Sequence, residues 1–180
     1  MALTLTKLLL FSFLFISTVL TAKSQLSTSK QKNLTRFHVY AQDKNTAPNA
    51  TIVNVAQAST TNQSATSFGL VKVADDPLTE GPEMSSKNLG RLQGMVTSAS
   101  QSEVAVLMSI NFVFTEGKYN GSSLTVVGRN ELFLEVRELS IVGGTGLFRL
   151  ARGYVLTSTY SADLNTGALV LLYDFFVYHY

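Results

Sequence analysis

Residues 104–115 read Val104-Ala105-Val106-Leu107-Met108-Ser109-Ile110-Asn111-Phe112-Val113-Phe114-Thr115. Side chains of a strand alternate between its two faces, so Val104, Val106, Met108, Ile110, Phe112 and Phe114 share one side and Ser109, Asn111 and Thr115 fall on the other. Six large apolar groups on one face make it a core face, and a period of two excludes a helix. The C-terminal run from Ala168 to Tyr180 is different. Leu169, Leu171, Tyr173, Phe175 and Val177 lie on one side, while Val170, Leu172, Phe176 and Tyr178 lie on the other, so both faces call for cover.

Outward from these two, β-branched and aromatic runs alternate with turn clusters. Strands are expected at about Leu34–Tyr40, Thr51–Ala56, Ser67–Ala74, Leu89–Ser98, Val104–Thr115, Ser122–Gly128, Phe148–Thr159 and Ala168–Tyr180, with no long helix. Asp75-Asp76-Pro77, Glu80-Gly81-Pro82, Asn120-Gly121, Gly143-Gly144-Thr145-Gly146 and Asn165-Thr166-Gly167 read as the separating turns. Eight strands with no helices to cover open edges are expected to close into an antiparallel β-barrel, which leaves no edge unpaired; a β-sandwich is the alternative. The outer face of the last strand is expected at an interface between copies of the chain, making a homo-oligomer.

Lys7 followed by the apolar run Leu8–Leu20 and the small residues Ala22 and Ser24 has the pattern of a secretory signal peptide. Thirteen apolar residues fall short of the roughly 20 that span a bilayer. The expected organisation is a signal peptide over 1–24, a polar arm over 25–33 and the barrel domain over 34–180, the mature chain being secreted to the extracellular space. Four N-x-[ST] sequons, at Asn33, Asn49, Asn62 and Asn120, agree with that route and mark candidate glycosylation sites. Without cysteine, the chain must be held by packing and sheet hydrogen bonds.

Composition also narrows function. Fourteen basic residues face 12 acidic ones, and loss of Lys7 and Lys23 with the leader leaves 12 against 12. A neutral surface lacks the cationic stripe that phosphate backbones need, so nucleic acid is not an expected partner, nor is a membrane. No cysteine and only His38 and His179 leave no zinc site, thiol nucleophile or cofactor site to expect. The Gly143–Gly146 cluster lacks a following Gly-Lys-Ser/Thr and runs into another strand, so it is expected to be a tight turn with positive φ angles rather than a phosphate loop. Asp174, alone in the last apolar strand, is expected to be paired or at the lumen edge. A barrel lined in part by the 7 Tyr and 11 Phe would suit a planar phenolic ligand.

Phe68-Gly69, the block Pro77-Leu78-Thr79-Glu80-Gly81-Pro82-Glu83, Gly90-Arg91-Leu92-Gln93-Gly94, Glu116-Gly117-Lys118-Tyr119-Asn120-Gly121-Ser122, Gly128-Arg129-Asn130, Val142-Gly143-Gly144-Thr145-Gly146, Ala151-Arg152-Gly153-Tyr154 and His179-Tyr180 follow one another in an order that resembles the plant dirigent family. The resemblance implies an eight-stranded antiparallel barrel, glycosylated, secreted to the apoplast and assembled as a trimer, with a dimer as the alternative. It further implies a chain that takes phenoxy radicals or quinone methides and fixes the stereochemistry of their coupling in lignan, lignin or defence-phenolic synthesis. The radicals come from a separate laccase or peroxidase. Two other readings stay open: a barrel cyclase or dehydratase working on a closed-shell phenolic, and a non-catalytic cell-wall or defence protein that binds phenolics. Carried across by position, the resemblance assigns proton handling to Asp43, orientation or charge stabilisation to Arg137 and hydrogen bonding to Thr159. It also shows two departures: Gln42 stands where the family commonly has His, and Asn130 where pinoresinol-forming members carry Asp.

Overall fold

The computed structural model describes residues 33–163 and 165–180; the expected signal peptide and nearly all of the expected arm lie outside them. Nine strands follow in chain order: β1 (Asn33–Lys44), β2 (Ile52–Ala56), β3 (Val71–Thr79), β4 (Asn88–Ser98), β5 (Ala105–Phe114), β6 (Ser122–Glu131), β7 (Arg137–Thr145), β8 (Arg152–Asp163) and β9 (Ala168–His179). All pairings are antiparallel. Neighbours run β1-β9-β8-β7-β6-β5-β4-β3-β2, and β1 also pairs with β3 through Tyr40↔Thr79 and Ala41↔Leu78. That last contact closes the sheet, so β1 and β3–β9 form an eight-stranded antiparallel barrel and β2 lies outside the ring on the edge of β3.

The count of eight is as the pattern of the sequence implies, but two members differ. The expected strand at residues 51–56 is the outer β2, and the ring contains β7, which sequence patterning does not single out. Gly143 and Gly144 belong to β7 and are extended; only Gly146 of that cluster has positive φ. A Cβ on Gly144 would sit 2.6 Å from the Ser123 carbonyl oxygen and 2.7 Å from that of Phe148, so glycine is required there for close approach of backbones. The register slips between Thr125 and Val126 opposite this stretch, leaving Val142 as the extra residue of a bulge.

Asp75-Asp76-Pro77 is likewise strand, not turn. Asp75 N–H donates outward to the Thr51 carbonyl (2.8 Å), and Pro77, two residues on, points the same way. There β2 has ended and the two-residue contact with β1 has not begun, so no ladder bond is lost to the missing proline N–H.

The barrel interior is divided along its axis. At one end Phe37, Phe112, Phe114, Tyr119, Phe148 and Phe175 form a continuous aromatic plug; Phe37 stacks on Phe175 at 4.8 Å and Phe112 meets Phe175 edge-on at 4.8 Å. Such contacts fill space and add orientation-dependent attraction. Toward the other end of the same strands the inward positions become Asp43, Val106, Met108, Asn130, Arg137, Leu169 and Leu171, and there the packing opens.

Candidate functional site

The open end is a cavity of about 560 Å³. Its wall includes Asp43, Lys72, Asn130, Arg137 and Thr159, together with Val96, Val106, Met108, Leu169 and Leu171. The three residues singled out from the sequence, Asp43, Arg137 and Thr159, therefore meet at one site, although 116 positions separate the first from the last. In the ring, β1 and β6 are diametrically opposed, so Asp43 and Asn130 face each other with Thr159 and Arg137 on the strands between. The apolar lining comes from β4 and β5 on one side and from Leu169 and Leu171 of β9 on the other, with Lys72 on β3.

Each polar group is held by its strand at the price of lost hydration. Arg137, 4% exposed, donates from Nη1 to Thr159 Oγ1 (3.2 Å) and to the Leu132 carbonyl (3.3 Å), while its Nε and Nη2 have no partner. Desolvation lowers the proton affinity of its guanidinium. Asn130, also 4% exposed, donates from Nδ2 to Met108 Sδ (3.0 Å), and its Oδ1 is buried without a partner. Asp43 Oδ1 is buried and unpartnered; burial pushes its carboxyl up to about 6, against the opposing pull of the Lys72 charge.

Two further groups were not picked out from the sequence. The β1–β3 register, carried two residues past Ala41↔Leu78, sets Asp43 beside Asp76 across the closing seam. Asp76 is 3% exposed, and burial raises it to about 7; a hydrogen bond from Thr51 lowers it, and the neighbouring Asp43 charge raises it. Tyr173, on the inner face of β9, is fully buried with its hydroxyl facing Thr157; burial chiefly, then the Asp76 charge, holds its proton on. The signal for Asp76 was present: it shares a face with Ala74 and Leu78 once residues 71–79 are taken as a strand, and a carboxyl on an apolar face is a functional marker. Tyr173 lay in plain view on the inner face of β9 among aliphatic and aromatic neighbours, with nothing to set it apart from core.

Other residues take up places away from the cavity. Asp174 points outward between buried Tyr173 and Phe175, in register with His38 of β1, not at the lumen edge. His179 lies beyond the aromatic plug, its Nε2 2.8 Å from Thr35 Oγ1. Gln42 is buried on the outer side, donating to Thr79 Oγ1 (2.9 Å) and the Pro82 carbonyl (3.0 Å), so it braces the seam beside Asp43 and does not enter the cavity. Asn33, Asn49, Asn62 and Asn120 are all exposed. Among the described residues no three acidic or histidine side chains come together as a metal-binding group.

A chemically bifunctional wall results: the Asp43 carboxyl on one side, with Asp76 buried beside it, a guanidinium with free donors on another, and apolar surface for aromatic faces. The match to known proteins follows the same span. The model of the Dirigent-like protein family matches residues 34–178. The chain is 42% identical over 178 residues to dirigent protein 21 of Arabidopsis thaliana, covering 94% of each. It is 41% identical over 173 residues to pterocarpan synthase 1 of Glycine max, covering 96% of this chain and 93% of that one. Among solved structures it resembles the pterocarpan synthase dirigent proteins GePTS1, with a TM-score of 0.77 at 42% identity over 84% of this chain and 93% of that one, and PsPTS1, with 0.76 at 41% over 84% and 99%. With the family model matched over nearly the whole described length and relatives 42% and 41% identical across both chains, the chain belongs to the dirigent family.

Proposed function

We propose that this chain is a secreted dirigent protein that fixes the stereochemistry of bond formation on a phenolic intermediate held in the barrel cavity, with Asp43 and Asp76 moving the proton and Arg137 orienting the phenolic oxygen. The supporting observation is a cavity-lining carboxyl of raised proton affinity, Asp43, with a second such carboxyl, Asp76, buried beside it across the closing seam. Such a pair shares a proton near neutral pH, so one member can give a proton while the other accepts one. On a closed-shell substrate the protonated carboxyl gives its proton to a benzylic hydroxyl, which leaves as water. The carboxylate takes the proton of a phenolic hydroxyl that closes onto the carbon left behind. Thr159 fixes the guanidinium, and the shape of the wall decides which face is attacked. The names of the pterocarpan synthase relatives favour this form of the reaction.

Radical coupling is the second reading. Val96, Val106 and Met108 on β4 and β5, and Leu169 and Leu171 across from them on β9, offer apolar surfaces between which two aromatic faces can be held in one relative orientation. A separate laccase or peroxidase would supply the radicals. About 2 kcal/mol between competing arrangements gives roughly thirtyfold selectivity in either case. In this reading of the protein the chain is exported to the apoplast, carries glycan on some of its exposed sequons and assembles with copies of itself through the outer face of β9.

Purified protein supplied with a hydroxylated isoflavanol and no oxidase, read on a chiral column, tests the first reading; coniferyl alcohol with an external laccase tests the second. One enantiomer formed without oxidase supports acid–base closure, and enantiomeric excess only with laccase supports guided coupling. Racemic product in both, or product chirality untouched by Asp43→Asn and Arg137→Leu, removes the cavity from the assignment.

A further inference from the structure

The turn after β6 carries a hydrophobic run where solvent would favour polar residues. Leu132, Phe133 and Leu134 are all exposed, Phe133 by 86%. Apolar surface left in water is unfavourable in proportion to its area, and a contiguous patch of this kind marks a contact surface. Yet the backbone beneath it is fixed. Leu132 N–H donates to the Val104 carbonyl (3.1 Å), Leu134 N–H donates to the Glu131 carbonyl (3.1 Å), and Arg137 Nη1 donates to the Leu132 carbonyl (3.3 Å). The Glu131–Leu134 turn thus puts Phe133 at its tip, next to the carbonyl that Arg137 holds. Leu132 and Phe133 both line the cavity, so this exposed ring stands at its mouth.

We propose that Phe133 is the outer aromatic contact of the cavity, and that the ligand is a phenol with two separate aromatic rings, one inside beside Asp43 and Arg137 and the other against the face of Phe133. This rests on the reading of the cavity as a phenol site and specifies the class of phenol. A volume of about 560 Å³ falls within the range of roughly 300–1,000 Å³ that holds drug-sized ligands. A one-ring guest drawn to the polar groups within would leave the mouth uncovered. Between the two positions the wall is apolar, through Val104, Val106 and Leu132, and suits the linking part of such a molecule. Arg137 ties the two ends together, because the guanidinium that faces the inner ring also sets the position of the turn that carries the outer one.

Phe133 is 86% exposed, so Phe133→Ala can be compared directly with the parent by titration calorimetry. Coniferyl alcohol serves as the one-ring probe and a hydroxylated isoflavanol as the two-ring probe. The expected result is about a tenfold loss of affinity for the isoflavanol and less than a twofold change for coniferyl alcohol. Phe133→Trp supplies a second measurement, since the chain has no other tryptophan: its emission should move to the blue with the isoflavanol and stay in place with coniferyl alcohol. Equal losses for both probes, or an isoflavanol that binds tightly to Phe133→Ala, overturns the assignment of Phe133 and leaves the phenol site standing. Failure of the parent protein to bind either probe overturns the phenol site itself, and this inference with it.

Discussion

Asp76 is the residue on which the chemistry turns, because its position makes an ordinary carboxylate expensive. It sits on a strand face otherwise occupied by Ala74 and Leu78, and the neighbouring Asp43 is of the same charge. Both effects favour the protonated form, which raises its folded value to about 7 from an ordinary 3.8. A carboxyl that holds its proton more tightly when folded lowers the stability of the fold as pH rises: between the unfolded and folded values the native state binds more protons than the unfolded one. Stability therefore declines from pH 5 to pH 8, as first Asp43 and then Asp76 loses its proton. Asp76→Asn should remove most of that decline and leave the protein more stable than its parent at pH 8, by an amount on the order of 2 kcal/mol. Melting curves at the two pH values check it, and a parent whose melting temperature is flat or rises over that range contradicts the shared-proton account. The same variant should lose stereocontrol, since its amide cannot give or take the proton.

At the scale of elements, strands with a long apolar or alternating run were legible, and those interrupted by a buried charge, paired glycines or proline were not. β5 and β9 follow from alternation alone, and β9's doubly apolar pattern has a visible cause. Its inner residues pack the core, while on its outer face Phe176 stacks on Tyr154 at 4.7 Å and lies under Arg36 at 5.1 Å. β7 does alternate, with Arg137, Leu139 and Ile141 buried and Glu138, Ser140 and Val142 outward, but it opens on a buried arginine and ends on paired glycines, both of which read as loop. β3 contains Asp75-Asp76-Pro77, residues whose local preference is for turns; only the gap between β1 and β2 on its edge makes the strand possible. Asp43, Arg137 and Thr159 were reached through resemblance to relatives, and Asp76 was lost with the strand that bears it. Glycines in this barrel act at the same scale. Gly153 of β8 has φ +148°, and a Cβ there would collide with the carbonyl oxygen of Phe176 on β9. Gly153→Val should cost about 2–4 kcal/mol by strain and displaced pairing. A denaturant midpoint equal to that of the parent would show that β8 and β9 can separate there without loss.

The whole molecule divides its labour along the barrel axis, an aromatic plug at one end for stability and a hollow polar end for chemistry. Truncation in the plug should therefore destabilise without altering selectivity per folded molecule: Phe175→Ala, which loses contacts to both Phe37 and Phe112, is expected to cost about 3–5 kcal/mol. The surviving folded fraction should give the same enantiomer, and a change of enantiomer would mean that the plug shapes the site. Within the single chain, strands and turns line the cavity. Assembly through the outer face of β9, if it serves to bury Val170 and Leu172, uses the side of the strand opposite to Leu169 and Leu171, which line the cavity. Leu172→Asp places a charge on that face opposite Tyr40 of β1, where water can still reach it in a monomer but not in an interface. Sedimentation should then show a parent oligomer reduced to monomer, with product chirality retained. A monomer that loses chirality would mean that neighbouring copies complete the cavity, and a parent that already sediments as a monomer would leave the outer face of β9 satisfied by Tyr40, Tyr154 and Arg36 alone.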